Sequence, residues 1–319
     1  MTHPNNPSML RPGAIVIFGE ALIDDFGHVQ VAGGAPFNVA RHLAAFGAAP
    51  LLITRIGNDV NGETIQSEFA RFGLSNAGLQ RDQGKPTGRV RVEPAGDAHR
   101  FLIEPDQAYD QIDASAALAA LGASAPSSVY FGTLAQRNAV SREALYQLLA
   151  ASSAQRYLDL NVREDQVTAR GVYDSLHQAD IVKVNEDELH DLFRLYYHVR
   201  LSSADMEHKE VRAACAVLLR VFNLRALVVT LGPRGAVCFE SGGAMCSALN
   251  VTPVTQLVDT VGAGDAFSAV FLLGDALQWP LAVTLERANA FAAAICTVPG
   301  AVPAQRAFYD SWINGWFNS

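Results

Sequence analysis

The segment DTVGAGD at residues 259–265 combines a carboxylate with a run of small residues. An apolar stretch with helical spacing follows, so Gly262, Ala263 and Gly264 are expected at a helix N-terminus. Small residues there leave backbone N–H groups uncovered, and the helix dipole adds positive potential, which suits a phosphate-like anion. Asp265, beside this point, could accept a proton from a hydroxyl while the N–H groups hold a phosphoryl group. The alternative is a glycine-rich helix start in which Asp265 only complements the dipole.

A second motif, GGAPFNVA, occupies residues 33–40. Gly33 and Gly34 allow a ligand to approach the backbone closely. Asn38, in the first turn of the helix that follows, offers both a hydrogen-bond donor and an acceptor. This combination suits a polyhydroxylated ligand, and the alternative is a tight turn with an asparagine near a helix start.

Composition excludes several classes of protein. The 319 residues carry a formal net charge of −8 and no basic run, which argues against a nucleic-acid partner. No apolar run is long enough to span a membrane, and residues 1–12 are polar and proline-rich, typical of a disordered tail. The four cysteines lack metal-ligand spacing, so buried, reduced thiols in a cytoplasmic protein are expected. Neither a Gly-Lys-Ser/Thr phosphate loop nor GxGxxG after the first strand is present, which disfavours a dinucleotide-dependent oxidoreductase.

The elements that must position these residues alternate between strand and helix. We predict helices at 36–46 and 62–72, and strands at 14–19, 51–56, 128–131, 157–160, 181–184 and 226–230. Such alternation favours an α/β fold, with a mostly parallel central sheet flanked by helices on both faces.

One region breaks this rhythm. Residues 87–104 hold two alternating runs around Pro-Ala-Gly-Asp, which predicts a hairpin, and residues 28–32 form another short run. We therefore expect a small β-sheet lid, from segments 24–34 and 86–106, inserted into a single domain of residues 13–319. An edge hairpin without a catalytic role is the alternative. Residues 195–209 are polar and irregular, which indicates a surface excursion between two helices.

Taken together, the motifs resemble the ribokinase-like (PfkB) carbohydrate kinase family over residues 14–305. Further matches are GEALID at 19–24, DLNVR at 159–163, NEDE at 185–188 and TLGPRG at 230–235. The resemblance implies a ribokinase-like fold and transfer of the γ-phosphoryl group of ATP to a sugar hydroxyl. It is greatest to bacterial fructokinases, so fructose is the expected substrate. A kinase for 2-keto-3-deoxygluconate, a ribose-type sugar or a nucleoside is the alternative, and a non-catalytic sugar-binding relative is the second.

The resemblance also implies roles for single residues. Asp265 is the expected general base, and Gly262, Ala263 and Gly264 form the expected anion hole. The residues implied to bind the sugar are Asp24, Gly33, Gly34, Asn38, Phe101 and Arg163. Alternatives are a solvated acid for Asp24, a surface ion pair for Arg163, and a core position in the lid hairpin for Phe101.

On the nucleotide side, the residues implied to bind ATP are Lys183, Asn185, Glu188, Thr230, Gly232, Gly235 and Asn289. Glu188 would act on Mg²⁺ through water. The spacing of Asn185 and Glu188 also fits a helix cap, and both could hold. Family members are often activated by potassium, for which the matching positions are the Asp259 side chain and the carbonyls of Val261, Ile295, Val298 and Gly300. A homodimer formed through the β-lid is expected, because exposed strand edges favour pairing.

Overall fold

A computed structural model describes residues 10–95, 98–122, 124–198, 205–249, 254 and 256–317. The strands within these ranges are β1 (Ile15–Phe18), β2 (Leu22–Asp25), β3 (Gln30–Gly33), β4 (Leu51–Gly57), β5 (Leu79–Asp82), β6 (Gly88–Ala95), β7 (Ala98–Ile103), β8 (Ser128–Phe131), β9 (Gln155–Asp159), β10 (Ile181–Asn185), β11 (Ala226–Thr230), β12 (Ala236–Glu240) and β13 (Met245–Ala248). The α-helices are α1 (Ala35–Ala45), α2 (Val60–Phe72), α3 (Ala114–Leu121), α4 (Ala139–Ala150), α5 (Ala169–His177), α6 (Glu186–Tyr197), α7 (Lys209–Val221), α8 (Ala263–Ala276), α9 (Leu281–Ile295) and α10 (Ala307–Phe317).

The larger sheet has nine strands in the order β13-β12-β11-β10-β9-β8-β1-β4-β5 within the described residues. Pairing is parallel from β11 through to β5, and β12 is antiparallel to both of its neighbours. The predicted α/β fold with a mostly parallel sheet is therefore confirmed. Two predicted strands, 128–131 and 226–230, match the observed bounds, and the others differ by one or two residues at an end.

Both faces of this sheet are covered by helices. Val16 and Phe18 of β1 face one hydrophobic cluster, and Ile15 and Ile17 face the other. Successive side chains of a strand point to opposite faces, so a strand covered on both sides must be apolar throughout. This explains the unbroken apolar run of β1. Because β11 through β5 pair in parallel, their carboxyl ends lie along one edge of the sheet, where ligand sites form in such folds.

The smaller sheet is the expected lid, with strand order β3-β2-β6-β7. β6 and β7 form the predicted hairpin, and β2 pairs in parallel with β6. Asp24 lies opposite Val90, and Phe101 lies opposite Val92 two residues further along β6. Because side chains alternate with a period of two, Asp24 and Phe101 lie on the same face of the lid.

The structure refines the remaining expectations. Residues 1–9 of the expected tail and 199–204 of the expected excursion lie outside the described residues, as do Gly96 and Asp97 of the hairpin turn. Leu10 packs against the core, so the described end of the tail is in contact with the domain. Within 195–209 the prediction of irregular structure is wrong at the start, because α6 continues to Tyr197.

Two expectations from composition can also be compared with the structure. All four cysteines are free; three are buried and Cys246 is half-buried. Among the residues that the structure describes, no helix is long and apolar enough to cross a membrane.

Candidate active site

The N-terminus of α8 brings the glycine-rich motif against a neighbouring loop. Gly262 is the N-cap residue, with φ 78°, and no side chain caps this helix end. A Cβ at Gly262 would lie 2.5 Å from the Cα of Ala301, so only glycine fits both the backbone conformation and the close approach. The first-turn N–H groups of a helix lack intrahelical acceptors. This uncapped helix end, with Gly262, Ala263 and Gly264, is suited to an anion, although Ala263 N also donates to the carbonyl of Thr260 at 3.3 Å.

Asp265 meets the second motif at this helix end. Its Oδ2 accepts a hydrogen bond of 2.7 Å from Asn38 Nδ2 in the first turn of α1, although 227 residues separate the two. Burial raises the pKa of Asp265, and the hydrogen bond from Asn38 opposes that rise. The two motifs identified separately in the sequence thus form one site, with a carboxylate beside an uncapped helix N-terminus.

A buried arginine fixes the orientation of the Asn38 amide. Arg41 Nη2 donates to Asn38 Oδ1 at 2.6 Å and to the carbonyl of Ala32 at 2.8 Å. Its Nη1 pairs with Glu68 Oε2 at 3.1 Å. Because the amide oxygen is held by Arg41, the amide nitrogen faces Asp265. Sequence reasoning missed Arg41, although a charged side chain three residues after Asn38 in a mostly apolar helix was a usable signal.

A buried ion pair lies beneath the first turn of α8. Lys183 Nζ lies 3.0 Å from both carboxylate oxygens of Asp159 and donates to the Gly264 carbonyl at 3.5 Å. Ser268 Oγ also donates to Asp159, at 2.8 Å. Burial alone would lower the pKa of Lys183, but the negative charge of Asp159 raises it above its ordinary value. The ammonium group therefore lies beneath the anion site, with its charge balanced by Asp159. Asp159 was not among the predicted site residues, although a carboxylate in an apolar strand was a usable signal.

On the lid side of the site, the Asp24 carboxylate on β2 lies diagonally against Gly33 on β3. A Cβ at Gly33 would collide with Asp24 Oδ2, so glycine at this position makes room for the carboxylate. Burial raises the pKa of Asp24 to about 6, opposed by the positive charge of Arg163. Gly34 is the N-cap residue of α1. Asp24, Gly33 and Gly34 therefore line the region between the lid and α1.

The other two predicted sugar-binding residues have exposed side chains. Phe101 is 51% exposed on β7, so it is not a core residue of the lid hairpin. Arg163 lies in the loop after β9 and is exposed. Its charge acts on Asp24 and Asp265, which places its guanidinium on their side of the sheet.

Sequence reasoning also missed Glu20, although it belongs to the quoted GEALID segment. Its side chain is 4% exposed, and among the described residues its Oε2 has no hydrogen-bond partner. Burial raises the pKa of Glu20 to about 7, Arg163 opposes the rise, and Asp265 adds to it. Glu20, Asp24 and Asp265 thus form a group of carboxyl residues around the positive charge of Arg163.

Asn185 and Glu188 form a helix cap at the start of α6, which was one of the two roles considered for them. Asn185 Oδ1 accepts from Glu188 N at 2.8 Å, and Glu188 Oε2 accepts from Asn185 N at 2.9 Å. Glu188 Oε1 also accepts from Val162 N at 2.8 Å, which ties α6 to the loop that carries Arg163. Each carboxylate oxygen retains a further lone pair, so the cap leaves Glu188 able to bind a hydrated cation.

Two of the expected nucleotide residues, Asn289 and Gly235, meet at the carbonyl of Ala248. Asn289 Nδ2 donates to this carbonyl at 2.8 Å, and Gly235 lies against it so closely that a Cβ would collide. Gly235 N donates to the carbonyl of Gly232 at 3.1 Å, which closes the loop that follows Thr230. This loop and α9 therefore lie at the same end of β13.

The residues expected to hold a monovalent cation also come together. Asp259 Oδ1 accepts from Val261 N and Oδ2 accepts from Gly300 N, both at 3.0 Å. The carbonyl of Ile295 accepts from Val298 N at 3.2 Å in the turn that leads to Gly300. Asp259 thus joins the segment before the anion site to the segment after α9.

The sequence profile described as the pfkB family carbohydrate kinase matches residues 17–307. The chain belongs to this family. It is therefore a sugar kinase of the PfkB family, and the predicted family membership is confirmed.

The most similar relatives include sugar kinases and fructokinases. An uncharacterized sugar kinase of Pyrococcus horikoshii is 28% identical over 282 residues, 82% of each chain, and its crystal structure superposes with a TM-score of 0.75 over 96% of this chain and 99% of its own. Fructokinase-1 of Oryza sativa is 27% identical, covering 92% of this chain and 95% of its own.

Other solved structures share the PfkB fold at lower identity. Fructokinase of Xylella fastidiosa with bound ATP has a TM-score of 0.75 at 22% identity, covering 94% of this chain and 99% of its own. The 2-dehydro-3-deoxygluconokinase of Thermotoga maritima has a TM-score of 0.73 at 18% identity, covering 94% and 99%. Aminoimidazole riboside kinase of Salmonella enterica has a TM-score of 0.74 at 22% identity, covering 95% and 99%. The fold thus accommodates several acceptor molecules.

Proposed function

We propose that this PfkB sugar kinase is a fructokinase, which transfers the γ-phosphoryl group of ATP to a hydroxyl of fructose with Asp265 as general base. The observation that carries the proposal is the position of Asp265, held by Asn38 beside the uncapped N-terminus of α8. The relative from Oryza sativa named as a fructokinase supports fructose as the acceptor.

The proposed mechanism uses charge and position more than covalent chemistry. Asp265 accepts the hydroxyl proton as the oxygen attacks, and a raised pKa brings a carboxylate closer to the pH at which a general base is most effective. The amide groups at Gly262, Ala263 and Gly264 hold the transferred phosphoryl group, and the Lys183–Asp159 pair supports the turn beneath them. The Arg41–Asn38 contact keeps the base aimed at the reacting hydroxyl.

The sugar lies, in this proposal, between the lid and α1. Asp24 accepts hydrogen bonds from two hydroxyls, Gly33 and Gly34 allow the ring to approach the backbone, and Arg163 and Phe101 close the pocket. ATP lies on the other side of α8, over the loop from Thr230 through Gly232 to Gly235, with Asn289 near the adenine and Asn185 near the phosphates.

Two cations complete the proposed site. Among the described residues no cluster of three or more His, Cys, Asp or Glu side chains could hold a metal, so Mg²⁺ would take most of its ligands from water and the ATP phosphates, with Glu188 acting through water. Bound there, Mg²⁺ would neutralise phosphate charge. Potassium would bind between the segments that Asp259 joins, at the carbonyls of Val261, Ile295, Val298 and Gly300.

Coupled ADP release tests the reaction, with Mg-ATP and potassium against fructose, 2-keto-3-deoxygluconate, ribose, tagatose and adenosine. Fructose is expected to give the strongest response. Asp265→Asn keeps the side-chain shape but cannot accept the proton, so kcat should fall at least ~10²-fold. Asp275→Asn is the matched control in the last turn of the same helix, where Asp275 pairs with Arg225 at 3.3 Å, and it should retain activity.

Each alternative gives a distinct result in this assay. A response to another sugar or to adenosine alone keeps Asp265 as the base and replaces fructose as the acceptor. Near-wild-type turnover by Asp265→Asn removes the general base from the proposal. ATP binding without turnover on any acceptor favours a non-catalytic sugar-binding relative.

We also propose that the lid, formed by segments 24–34 and 86–106 of a single domain, pairs with the lid of a second copy. Val31 and Phe101 are 39% and 51% exposed, and they lie on the same face as Asp24. Pairing two such lids would cover this apolar surface. Light scattering at micromolar concentration should give the mass of a dimer, and a monomer mass would refute lid pairing.

A further inference from the structure

Arg137 connects three segments of the chain through one guanidinium group. Its side chain is 10% exposed, in the turn after the short 3₁₀-helix Leu134–Gln136. Nε and Nη2 donate to the two oxygens of Asp110, both at 2.7 Å. Nη2 also donates to the carbonyl of Glu104 at 2.8 Å, and Nη1 donates to Gln166 Oε1 at 2.5 Å. All three nitrogens of the guanidinium are therefore engaged.

Two of these partners lie at the base of the lid. Glu104 directly follows β7, and its N–H donates to the carbonyl of Arg89 on β6 at 3.1 Å, so it continues the lid hairpin. Asp110 lies in the 3₁₀-helix Ala108–Gln111, through which the chain returns from the lid to the larger sheet. Arg137 thus holds both the end of the lid and the start of the connection that follows it.

The third partner belongs to the loop that carries Arg163. Gln166 N donates to the carbonyl of Arg163 at 3.1 Å, which makes 163–166 a single turn. The same loop is anchored from its other side, because Val162 N donates to Glu188 Oε1. Arg137 therefore fixes the position of the Arg163 turn relative to the base of the lid.

We propose that Arg137 is a positioning residue for the sugar, because it holds the lid base and the Arg163 turn in one fixed relation. This proposal rests on the proposed function, in which the lid and Arg163 approach the sugar from different sides. A displacement of the lid base relative to the Arg163 turn would weaken sugar binding and leave the nucleotide side unchanged. Arg137 itself need not touch the sugar.

The geometry requires a guanidinium and not merely a positive charge. A planar fork can bind a carboxylate through two donors and reach further acceptors, whereas a lysine ammonium is a single point charge. Arg137→Lys should therefore keep the pairing with Asp110, which is 2% exposed, and lose the contacts to Glu104 and Gln166. Retaining the buried charge also makes this variant less prone to unfold than a neutral one.

Arg55→Lys is the matched control. Arg55 Nη2 pairs with Asp82 Oδ2 at 2.9 Å, and its Nη1 donates to the carbonyl of Gln111 at 2.9 Å. Arg55 therefore binds a carboxylate and the end of the same 3₁₀-helix that holds Asp110. These two contacts do not include the lid strands or the Arg163 turn.

Steady-state kinetics provide the first test. For Arg137→Lys we expect KM for the sugar to rise about tenfold, with KM for ATP within about twofold of wild type. Arg55→Lys should change neither constant by more than about twofold. An equal rise in both KM values for Arg137→Lys, or no rise in either, would overturn the positioning role.

Hydrogen–deuterium exchange provides a second test that needs no turnover. In Arg137→Lys without ligand, amide exchange should accelerate together in segments 104–111 and 161–168, and Arg55→Lys should not accelerate exchange in 161–168. Faster exchange in only one of the two segments would refute the coupling. If wild type phosphorylates no acceptor in the panel, the proposed function fails, and the exchange experiment still decides whether Arg137 couples the two segments.

Discussion

Glu20 gives a prediction about how the stability of the fold changes with pH. Its carboxyl group is buried without a partner for Oε2 among the described residues, and burial raises its pKa from 4.5 to about 7. The folded protein therefore keeps this proton to a higher pH than the unfolded chain does. The stability that this difference contributes is fully present below pH 4.5 and is lost as the pH rises through about 7.

The loss can be expressed as a free energy. A difference between 4.5 and about 7 implies that wild type loses roughly 2–3 kcal/mol of unfolding free energy between pH 5 and pH 8 through this group alone. Glu20→Gln has nearly the same shape and cannot ionise, so it avoids this loss. Relative to wild type, the variant should therefore be more stable at pH 8 than at pH 5 by that amount.

Urea denaturation of both proteins at several pH values between 5 and 8 measures this difference. Glu143→Gln is the control, because Glu143 is exposed on α4 and replacing it should shift the curve equally at all pH values. Parallel curves for wild type and Glu20→Gln would refute the reasoning. They would mean that the ionised Glu20 carboxylate is stabilised in the folded protein, for example by a buried water.

Three further substitutions test the site. Lys183→Met leaves the buried Asp159 without its cation and should reduce the unfolding free energy by about 3–5 kcal/mol in urea denaturation; a loss below about 1 kcal/mol would contradict a buried pair. Gly262→Ala places a Cβ into the neighbouring loop at a positive φ and should lower kcat, measured by ADP release, at least about tenfold; unchanged kcat would refute the close approach. Arg41→Met frees the Asn38 amide to rotate and should lower kcat about tenfold with KM for ATP unchanged, whereas a change confined to KM for ATP would exclude this role.

Local patterns were sufficient to predict the helix start at the glycine-rich segment. A glycine-rich segment followed by apolar residues at helical spacing specifies a helix start, and the position of Asp265 in the first turn follows from counting residues. The lid hairpin was predicted for the same reason, because alternation and a turn sequence are properties of neighbouring residues. The antiparallel strands β12 and β13 were missed, although the Gly242-Gly243 pair between them was a hairpin signal.

Long-range partners could not be predicted from local patterns. The Asn38–Asp265 hydrogen bond joins residues 227 positions apart, and the Arg137 contacts to Glu104 and Gln166 span 33 and 29 positions. Such contacts depend on which strand ends are adjacent in the sheet, and strand order is not encoded in the periodicity of single segments. What the sequence did offer was a charge within an apolar segment, which indicates a buried ion pair without identifying its partner.

The distribution of charge bears on which sugar the site accepts. Glu20, Asp24 and Asp265 interact electrostatically on the sugar side, with Arg163 opposing the rise in their pKa values, while Lys183 lies beneath the anion site. A neutral polyol can donate hydroxyl hydrogens to these carboxyl groups without adding charge. A sugar acid such as 2-keto-3-deoxygluconate would bring a further negative charge beside three carboxyl groups, whose negative charge Arg163, Arg137 and Arg41 offset in part. Under the proposed function we therefore expect a larger kcat/KM for fructose than for the sugar acid, and the reverse order would show that the arginines outweigh the three acids.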